Sequence, residues 1–205
     1  MIVASQGITP LYLASVANTS RPDSLPTRTD PVDPHAWQDL GNAHHYVANI
    51  TTALSEIDPA NKTFFQANAT RLHAQINTLD RQIRQTFNSI PVQQRKVVSS
   101  HDAFNYFGRA YGIRFIAPLG MSTDAEPSAA NVGAIIRQIR QEKIKALFME
   151  NISDPRLLER ISRESGARLG GTLYSDSLAK SGSPADNYLG MISHNAKTLI
   201  GALTE

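Results

Sequence analysis

Hydrophobic side chains recur every three or four residues through much of the first half of the chain. Residues 16–32 lack this pattern and are rich in Asn, Thr, Ser and Pro, so we expect an exposed loop there. The run over 36–57 follows Asp33 and Pro34, a typical N-cap and first helical residue. A second run over 58–90 contains no glycine, and its single proline stands at the start. The pattern therefore predicts two helices, the second about 50 Å long.

The pattern changes from residue 96 to short apolar alternations separated by helical stretches. Gly112 and Gly166 stand where helix C-caps belong. Strands are predicted at 96–100, 113–117, 144–149 and 168–174, and helices at 102–111, 128–142, 154–164 and 185–203. Repeated β-α units with right-handed crossovers form a mostly parallel sheet that is flanked by helices on both faces. The sequence therefore predicts an α/β fold.

Composition narrows the chemistry that this fold could support. With 205 residues and 41% apolar content, the chain can bury one good core. A net charge of +2 and the lack of a basic cluster with aromatics make a nucleic-acid partner an unfavoured interpretation. No apolar run approaches the length of about 18 residues that a membrane span requires, so no membrane insertion is expected. Because the chain has no cysteine, a metal would have to be held by His and carboxylates.

Candidate metal ligands follow three of the four predicted strands. They are His101, Glu150 and Asp176, and the remaining exit is residues 118–121. Ligands of parallel α/β sheets bind at the carboxyl ends of the strands, where these side chains would converge. Alone, His101 could be structural and Asp176 a turn or cap residue. Their convergence favours metal binding, with Glu150 as a ligand or, preferably, as a buried acceptor that orients an imidazole.

His35 lies near the predicted start of the first helix, where the helix dipole favours the neutral, metal-binding imidazole. A surface histidine at a helix start is an equally good interpretation of His35 alone. The remaining histidines are weaker candidates. His44 and His45 are adjacent and so point to different faces of one helix, and His73 and His194 stand alone in their helices. No P-loop, G-x-G-x-x-G, H-E-x-x-H or G-x-S-x-G motif is present, so the standard nucleotide, zincin and serine-hydrolase interpretations are not supported.

Several short motifs, in order along the chain, resemble the cluster A-I substrate-binding proteins of metal ABC transporters, especially their zinc-uptake branch. They are D-P-H-A-W at 33–37, D-P-A-N-K at 58–62, S-H-D-A-F-N-Y-F at 100–107, A-E-P-S at 125–128 and L-Y-S-D-S-L at 173–178. Each motif is weak alone, but together they cover nearly the whole chain.

The resemblance implies two α/β lobes joined by a rigid helix, with a metal ion in the cleft between them. Residues 1–57 would be a partial N-terminal lobe and 58–90 the long connecting helix. Residues 91–205 would be a C-terminal lobe with a mostly parallel four-stranded sheet flanked by helices. The family's ligand positions correspond to His35, His101 and Asp176. Glu126 and Glu150 correspond to acidic positions that are not usually direct ligands.

The resemblance also implies a function. The protein would capture Zn²⁺, or alternatively Mn²⁺, in the periplasm and deliver it to the permease of an ABC importer, as a monomer without enzymatic activity. At position 101 this chain has a histidine and so resembles the zinc-type members, whereas manganese-type members tend to carry Glu there. A manganese-specific member of the same family is the first alternative. Less favoured alternatives are a zinc-dependent hydrolase with Glu150 as base and an adhesion protein on the same fold.

The chain departs from the family pattern at its start. The family's first histidine ligand and its signal peptide would precede Met1, so the sequence is interpreted as N-terminally truncated. We therefore expect weaker zinc binding than in a full-length relative.

Overall fold

Helices and strands alternate in the order expected from the sequence. The computed structural model describes residues 1–13, 31–117 and 128–204. Helices are α1 (Leu40–Ile57), α2 (Lys62–Asn88), α3 (Asn105–Tyr111), α4 (Ala129–Glu142), α5 (Arg156–Ser165) and α6 (Tyr188–Thr204). Strands are β1 (Lys96–Ser99), β2 (Arg114–Ile116), β3 (Ala146–Glu150) and β4 (Arg168–Leu173).

The four strands form one parallel sheet in the order β2-β1-β3-β4. Neighbouring residues of a strand serve opposite faces: Val97 and Phe148 join one hydrophobic core, whereas Val98 and Leu147 join the other. Residues of α1, α2, α3 and α6 build the first core, and residues of α4 and α5 build the second. The predicted α/β class, with a parallel four-stranded sheet covered by helices on both faces, is confirmed.

Two glycines end helices as the sequence predicts. Gly112 has a φ of 69° after α3, and Gly166 has a φ of 82° after α5. Glycine adopts this left-handed conformation without the steric cost that a Cβ atom would impose. These turns direct the chain from α3 into β2 and from α5 into β4.

The prediction for the start of the first helix is wrong. Residues Ala36–Gln38 form a 3-10 turn, and α1 begins only at Leu40. Asp39 has an extended backbone, and its carboxylate accepts a hydrogen bond of 2.8 Å from the amide of Gly41. Because Asp39 is itself a strong N-cap, it interrupts the helical run that the apolar spacing suggested, and Asp33 does not cap α1.

Helix α2 is long but shorter than predicted. Its 27 residues correspond to about 40 Å. Residues Pro59–Asn61 form a separate 3-10 turn, in which Asp58 accepts a hydrogen bond from Asn61, so the α-helix starts later than the periodicity indicates. The division into 1–57, 58–90 and 91–205 stays a prediction. Within the described residues, no helix combines the length and the apolar character that crossing a bilayer would demand.

Glu142, the last residue of α4, links that helix to the first residues of strands β1 and β2. Its carboxylate accepts from Lys96 of β1 at 3.0 Å, from Arg114 of β2 at 2.8 Å and from Gln138 at 2.9 Å. The bond from Gln138 and the two cations lower the pKa of Glu142 below its ordinary value of 4.5. A carboxyl group with a lowered pKa stabilises the fold above its ordinary pKa, and this contribution is lost as the pH falls through the lowered value.

We therefore expect Glu142→Gln to lower the free energy of unfolding by up to about 1 kcal/mol at pH 7, since the ion pairs are partly exposed. The difference from wild type should disappear at an acid pH below the lowered pKa of Glu142, where the wild-type carboxyl is protonated too. Urea unfolding at both pH values measures the effect, with Glu56→Gln on the exposed surface of α1 as the charge control. An equal cost at both pH values would contradict the assignment.

Candidate functional site

Three side chains of types that can bind a metal ion come from distant parts of the sequence and converge at the carboxyl edge of the sheet. Nε2 of His35 lies 3.4 Å from Oδ1 of Asp176, and Nε2 of His101 lies 3.3 Å from Oδ2 of the same residue. One donor atom of each residue lies within 4.8 Å of the other two. The structure thus brings together the three residues that the sequence proposes as ligands.

His101 follows β1 and is oriented by the neighbouring strand. Glu150, the last residue of β3, accepts a hydrogen bond of 2.9 Å from the backbone amide of His101 through Oε1. Its Oε2 lies 2.7 Å from Nδ1 of the His101 ring. A carboxylate beside Nδ1 favours the proton on that nitrogen, so the lone pair of Nε2 points toward Asp176. This is the orienting role that the sequence favours for Glu150, and that role stays a prediction.

His35 is oriented in the same way, by Asp33. Oδ1 of Asp33 accepts a hydrogen bond of 2.9 Å from the backbone amide of His35 and lies 2.7 Å from its Nδ1. His35 precedes a three-residue 3-10 turn and does not lie at the second position of an α-helix. The helix-dipole explanation for a neutral His35 therefore fails, and the Asp33 carboxylate orients the ring instead.

The sequence predicts that Asp33 caps the first helix, and this role is wrong. Asp33 instead lies beside His35. Its side chain is fully buried, and its Oδ2 accepts a hydrogen bond of 3.1 Å from Nδ2 of the Asn105 side chain. The hydroxyl of Tyr106 donates to its backbone carbonyl at 3.3 Å. These contacts join the D-P-H-A-W and S-H-D-A-F-N-Y-F motifs. An acidic residue two positions before a candidate histidine was the available signal.

Asp176 lies in the loop after β4 and is the most exposed of the three side chains, at 32% compared with 10% for His35 and 13% for His101. The preceding residue fixes the loop. The carbonyl of Ser175 accepts hydrogen bonds from Nε1 of Trp37 at 3.1 Å and from Nε2 of Gln38 at 3.0 Å. Since Trp37 and Gln38 lie two and three residues after His35, these bonds tie the His35 segment to the Asp176 segment.

Buried carboxylates dominate the electrostatics of the site. Burial on its own lowers the pKa of His101, but Glu150 and Asp176 together raise it above its ordinary value. Burial likewise favours the neutral form of Glu150, yet the neighbouring His101 outweighs it and lowers the pKa of that carboxyl. A divalent cation would be stabilised by this surplus of acidic groups.

The two contacts with Asp176 have the spacing expected of donors that share a metal ion. Two donors each about 2.0–2.1 Å from zinc in a tetrahedral arrangement are separated by about 3.4 Å. The contacts of 3.3 and 3.4 Å match this separation, whereas good hydrogen bonds are shorter, at about 2.7–3.2 Å. Two imidazoles and one carboxylate form a donor set that zinc accepts, with further positions open to water or another ligand.

The other histidines lie elsewhere. Glu126 and the strand exit at 118–121 fall outside the described residues. His194 contacts the carbonyl of Thr172 at 3.1 Å. His44 and His73, judged weak from sequence, face each other across α1 and α2, because helix packing brings together residues that the periodicity of either helix cannot relate.

Comparison with known proteins establishes the class of protein. The sequence model of the ZnuA family, described as zinc-uptake complex component A, periplasmic, matches residues 1–202. The chain belongs to this family of substrate-binding proteins, as its motifs indicate.

Relatives and solved structures agree with this assignment. The manganese ABC transporter substrate-binding lipoprotein PsaA of Streptococcus pneumoniae is 29% identical over 202 residues, which are 98% of this chain and 62% of PsaA. A metal ABC transporter substrate-binding lipoprotein of Lactococcus lactis is 32% identical over 84% of this chain and 55% of its own length. The chain thus spans less than two thirds of these relatives.

Two solved structures have the same fold. A Mn-bound mutant of a periplasmic metal binding protein from Candidatus Liberibacter asiaticus superposes with a TM-score of 0.84 at 27% identity, covering 98% of this chain and 71% of that one. The periplasmic zinc binding protein TroA from Treponema pallidum superposes with a TM-score of 0.82 at 30% identity, covering 88% and 67%. One of these proteins is described as Mn-bound and the other as zinc binding, so likeness to them does not select one ion.

The two bonds to Ser175 can be tested by a double-mutant cycle. We expect Trp37→Phe and Gln38→Met each to lose about 1 kcal/mol for the hydrogen bond, beyond any packing change. The double variant would leave the buried carbonyl without either donor, adding a further cost of about 1–3 kcal/mol. Urea unfolding measures the cycle, with the exposed Gln75→Met as a control. Additivity within about 0.5 kcal/mol would show that the two bonds are independent.

Proposed function

We propose that the protein captures a divalent transition metal, zinc or alternatively manganese, and delivers it to the permease of an ABC importer from the periplasm. The observation that carries this proposal is the convergence of His35, His101 and Asp176 at the edge of the sheet. Membership of the ZnuA family, and relatives described as metal ABC transporter substrate-binding lipoproteins, support it.

The chemistry of the donors favours zinc. Imidazole suits zinc and the later first-row metals, whereas manganese prefers carboxylate, carbonyl and water oxygens. Two of the three converging side chains are imidazoles, and both are presented through Nε2. Manganese remains the alternative, because PsaA is described as a manganese protein and TroA as a zinc protein.

Binding and release account for the arrangement better than catalysis. A hydrolase would need a general base that reaches a metal-bound water or a substrate. Glu150, the candidate base, has a side chain that is 0% exposed, and each of its oxygens faces an atom of His101. We infer that Glu150 holds the imidazole and does not act on a substrate.

His101→Ala and Asp176→Ala should each weaken Zn²⁺ binding by more than about 100-fold, because each removes a direct ligand. Glu150→Gln, which keeps its size but loses the charge that orients His101, should weaken binding by about 10–100-fold. Calorimetric titration of the chelator-treated protein with Zn²⁺, and in parallel with Mn²⁺, measures these changes and the preference between the two metals.

His194→Gln is the matched control, because His194 is a partly buried histidine of the same α/β unit that contacts the carbonyl of Thr172. Its Zn²⁺ affinity should equal that of wild type. Circular dichroism should show that every variant is folded. Wild-type affinity in folded His101→Ala would refute the proposed site.

A further inference from the structure

A second pair of imidazoles lies outside the site described above, between helices α1 and α2. Nδ1 of His44 on α1 and Nδ1 of His73 on α2 are 2.6 Å apart. The ring centroids are separated by 4.8 Å and the ring planes are inclined by 23°, so the two rings lie side by side with their Nδ1 atoms facing each other. None of the residues of the first site takes part in this pair, which we call the seam pair.

The packing of the two helices holds the seam pair in place. His44 follows Ala43, which is 3% exposed in the core, and His73 lies one helical turn before Ile76, which is fully buried. Both imidazoles are themselves only half-buried. The backbones that carry the rings are thus anchored by core residues, while a small ion can reach the ring nitrogens from solvent.

A third residue determines which nitrogen of His44 carries the proton. Nε2 of His44 lies 3.0 Å from the side-chain oxygen of Asn77. Because a carbonyl oxygen can only accept, Nε2 is the protonated nitrogen, and the lone pair of His44 is on Nδ1. His73 then donates its Nδ1 proton to His44. Carboxylates and carbonyls fix the tautomer of metal-bound histidines by accepting the proton of the nitrogen that does not bind the metal. The side-chain oxygen of Asn77 occupies the same place relative to His44.

We propose that His44 and His73 chelate a second divalent transition metal between α1 and α2. The ion would take the place of the proton between the two Nδ1 atoms, and that proton would move to Nε2 of His73, so both imidazoles stay neutral. Two neutral imidazoles with water in the other positions suit the later first-row metals, in the order Cu²⁺ above Ni²⁺ and Zn²⁺. With two protein ligands, this site binds more weakly than the three-donor site.

The rearrangement that binding requires is small. Two nitrogens that share a zinc ion are about 3.4 Å apart, compared with 2.6 Å between the two Nδ1 atoms of the seam pair. Rotations of two half-exposed side chains can supply this difference without moving either helix. A bound ion would link α1 to α2 and stabilise the folded chain by mass action.

The first site is removed by mutation, so that metal binding by the seam pair is measured alone. The full chain carrying His101→Ala and Asp176→Ala, shown by circular dichroism to be folded, is treated with chelator and titrated with Cu²⁺ and Zn²⁺ by calorimetry. We expect one remaining binding event with one ion per chain. Electron paramagnetic resonance of the Cu²⁺ form should show two imidazole nitrogens bound to copper.

Further substitutions in this background identify the ligands. His44→Gln or His73→Gln should each weaken the remaining event by at least tenfold, and Asn77→Ala should weaken it by about 10-fold because the tautomer of His44 is no longer fixed. His45→Gln is the matched control, since His45 is an exposed histidine adjacent to His44 on the same helix. Its affinity should be unchanged.

The proposal that the seam pair binds an ion is overturned if the chain carrying His101→Ala and Asp176→Ala binds no ion. It is also overturned if binding survives in folded His44→Gln and His73→Gln variants of that chain. An equal loss in His45→Gln would overturn it as well, because the ion would then be held by other groups. The outcome is separate from the proposed function. Failure of the first site would appear as identical titrations of the wild-type chain and the chain carrying His101→Ala and Asp176→Ala, whatever the seam pair binds.

Discussion

The contact between a buried carboxylate and an imidazole is the interaction on which the site depends, and it occurs twice. The side chains of Asp33 and Glu150 are both 0% exposed, and each lies 2.7 Å from Nδ1 of one histidine. A buried carboxylate is costly unless it is paired, so the fold can hold these groups only with their partners in place. The same pairing directs both Nε2 atoms toward Asp176, so the contacts that satisfy the buried charges also orient the donors.

Much of this arrangement could be predicted from sequence, because the relevant signals are local. Alternating apolar residues indicate the strands, and the carboxyl-edge rule then places His101, Glu150 and Asp176 near one another. The C-cap glycines are equally local, since a left-handed turn has a known residue preference. Parallel strands convert these local patterns into a three-dimensional prediction.

The errors arose where two local preferences competed or where tertiary packing decided. Asp33 and Asp39 are both good N-caps, and only the folded chain shows that Asp39 caps α1 while Asp33 binds His35. The seam pair depends on the rotation of α1 relative to α2, which periodicity does not define. The role of Trp37 and Gln38 as donors to Ser175 spans more than 130 residues of sequence, as their separations of 138 and 137 show. Metal binding by the three converging residues stays a prediction.

The hydrogen bonds of Asp33 have a consequence for how the donors could separate. Asn105 and Tyr106, which contact Asp33, belong to α3, the element that follows His101 directly. Both imidazoles therefore share one framework, whereas Asp176 is carried on a separate loop that is held through the carbonyl of Ser175. If that loop withdrew, the two nitrogen donors would keep their mutual geometry and only the carboxylate would leave. Of the three candidate donors, the carboxylate is therefore the one whose position depends on the two bonds to the Ser175 carbonyl.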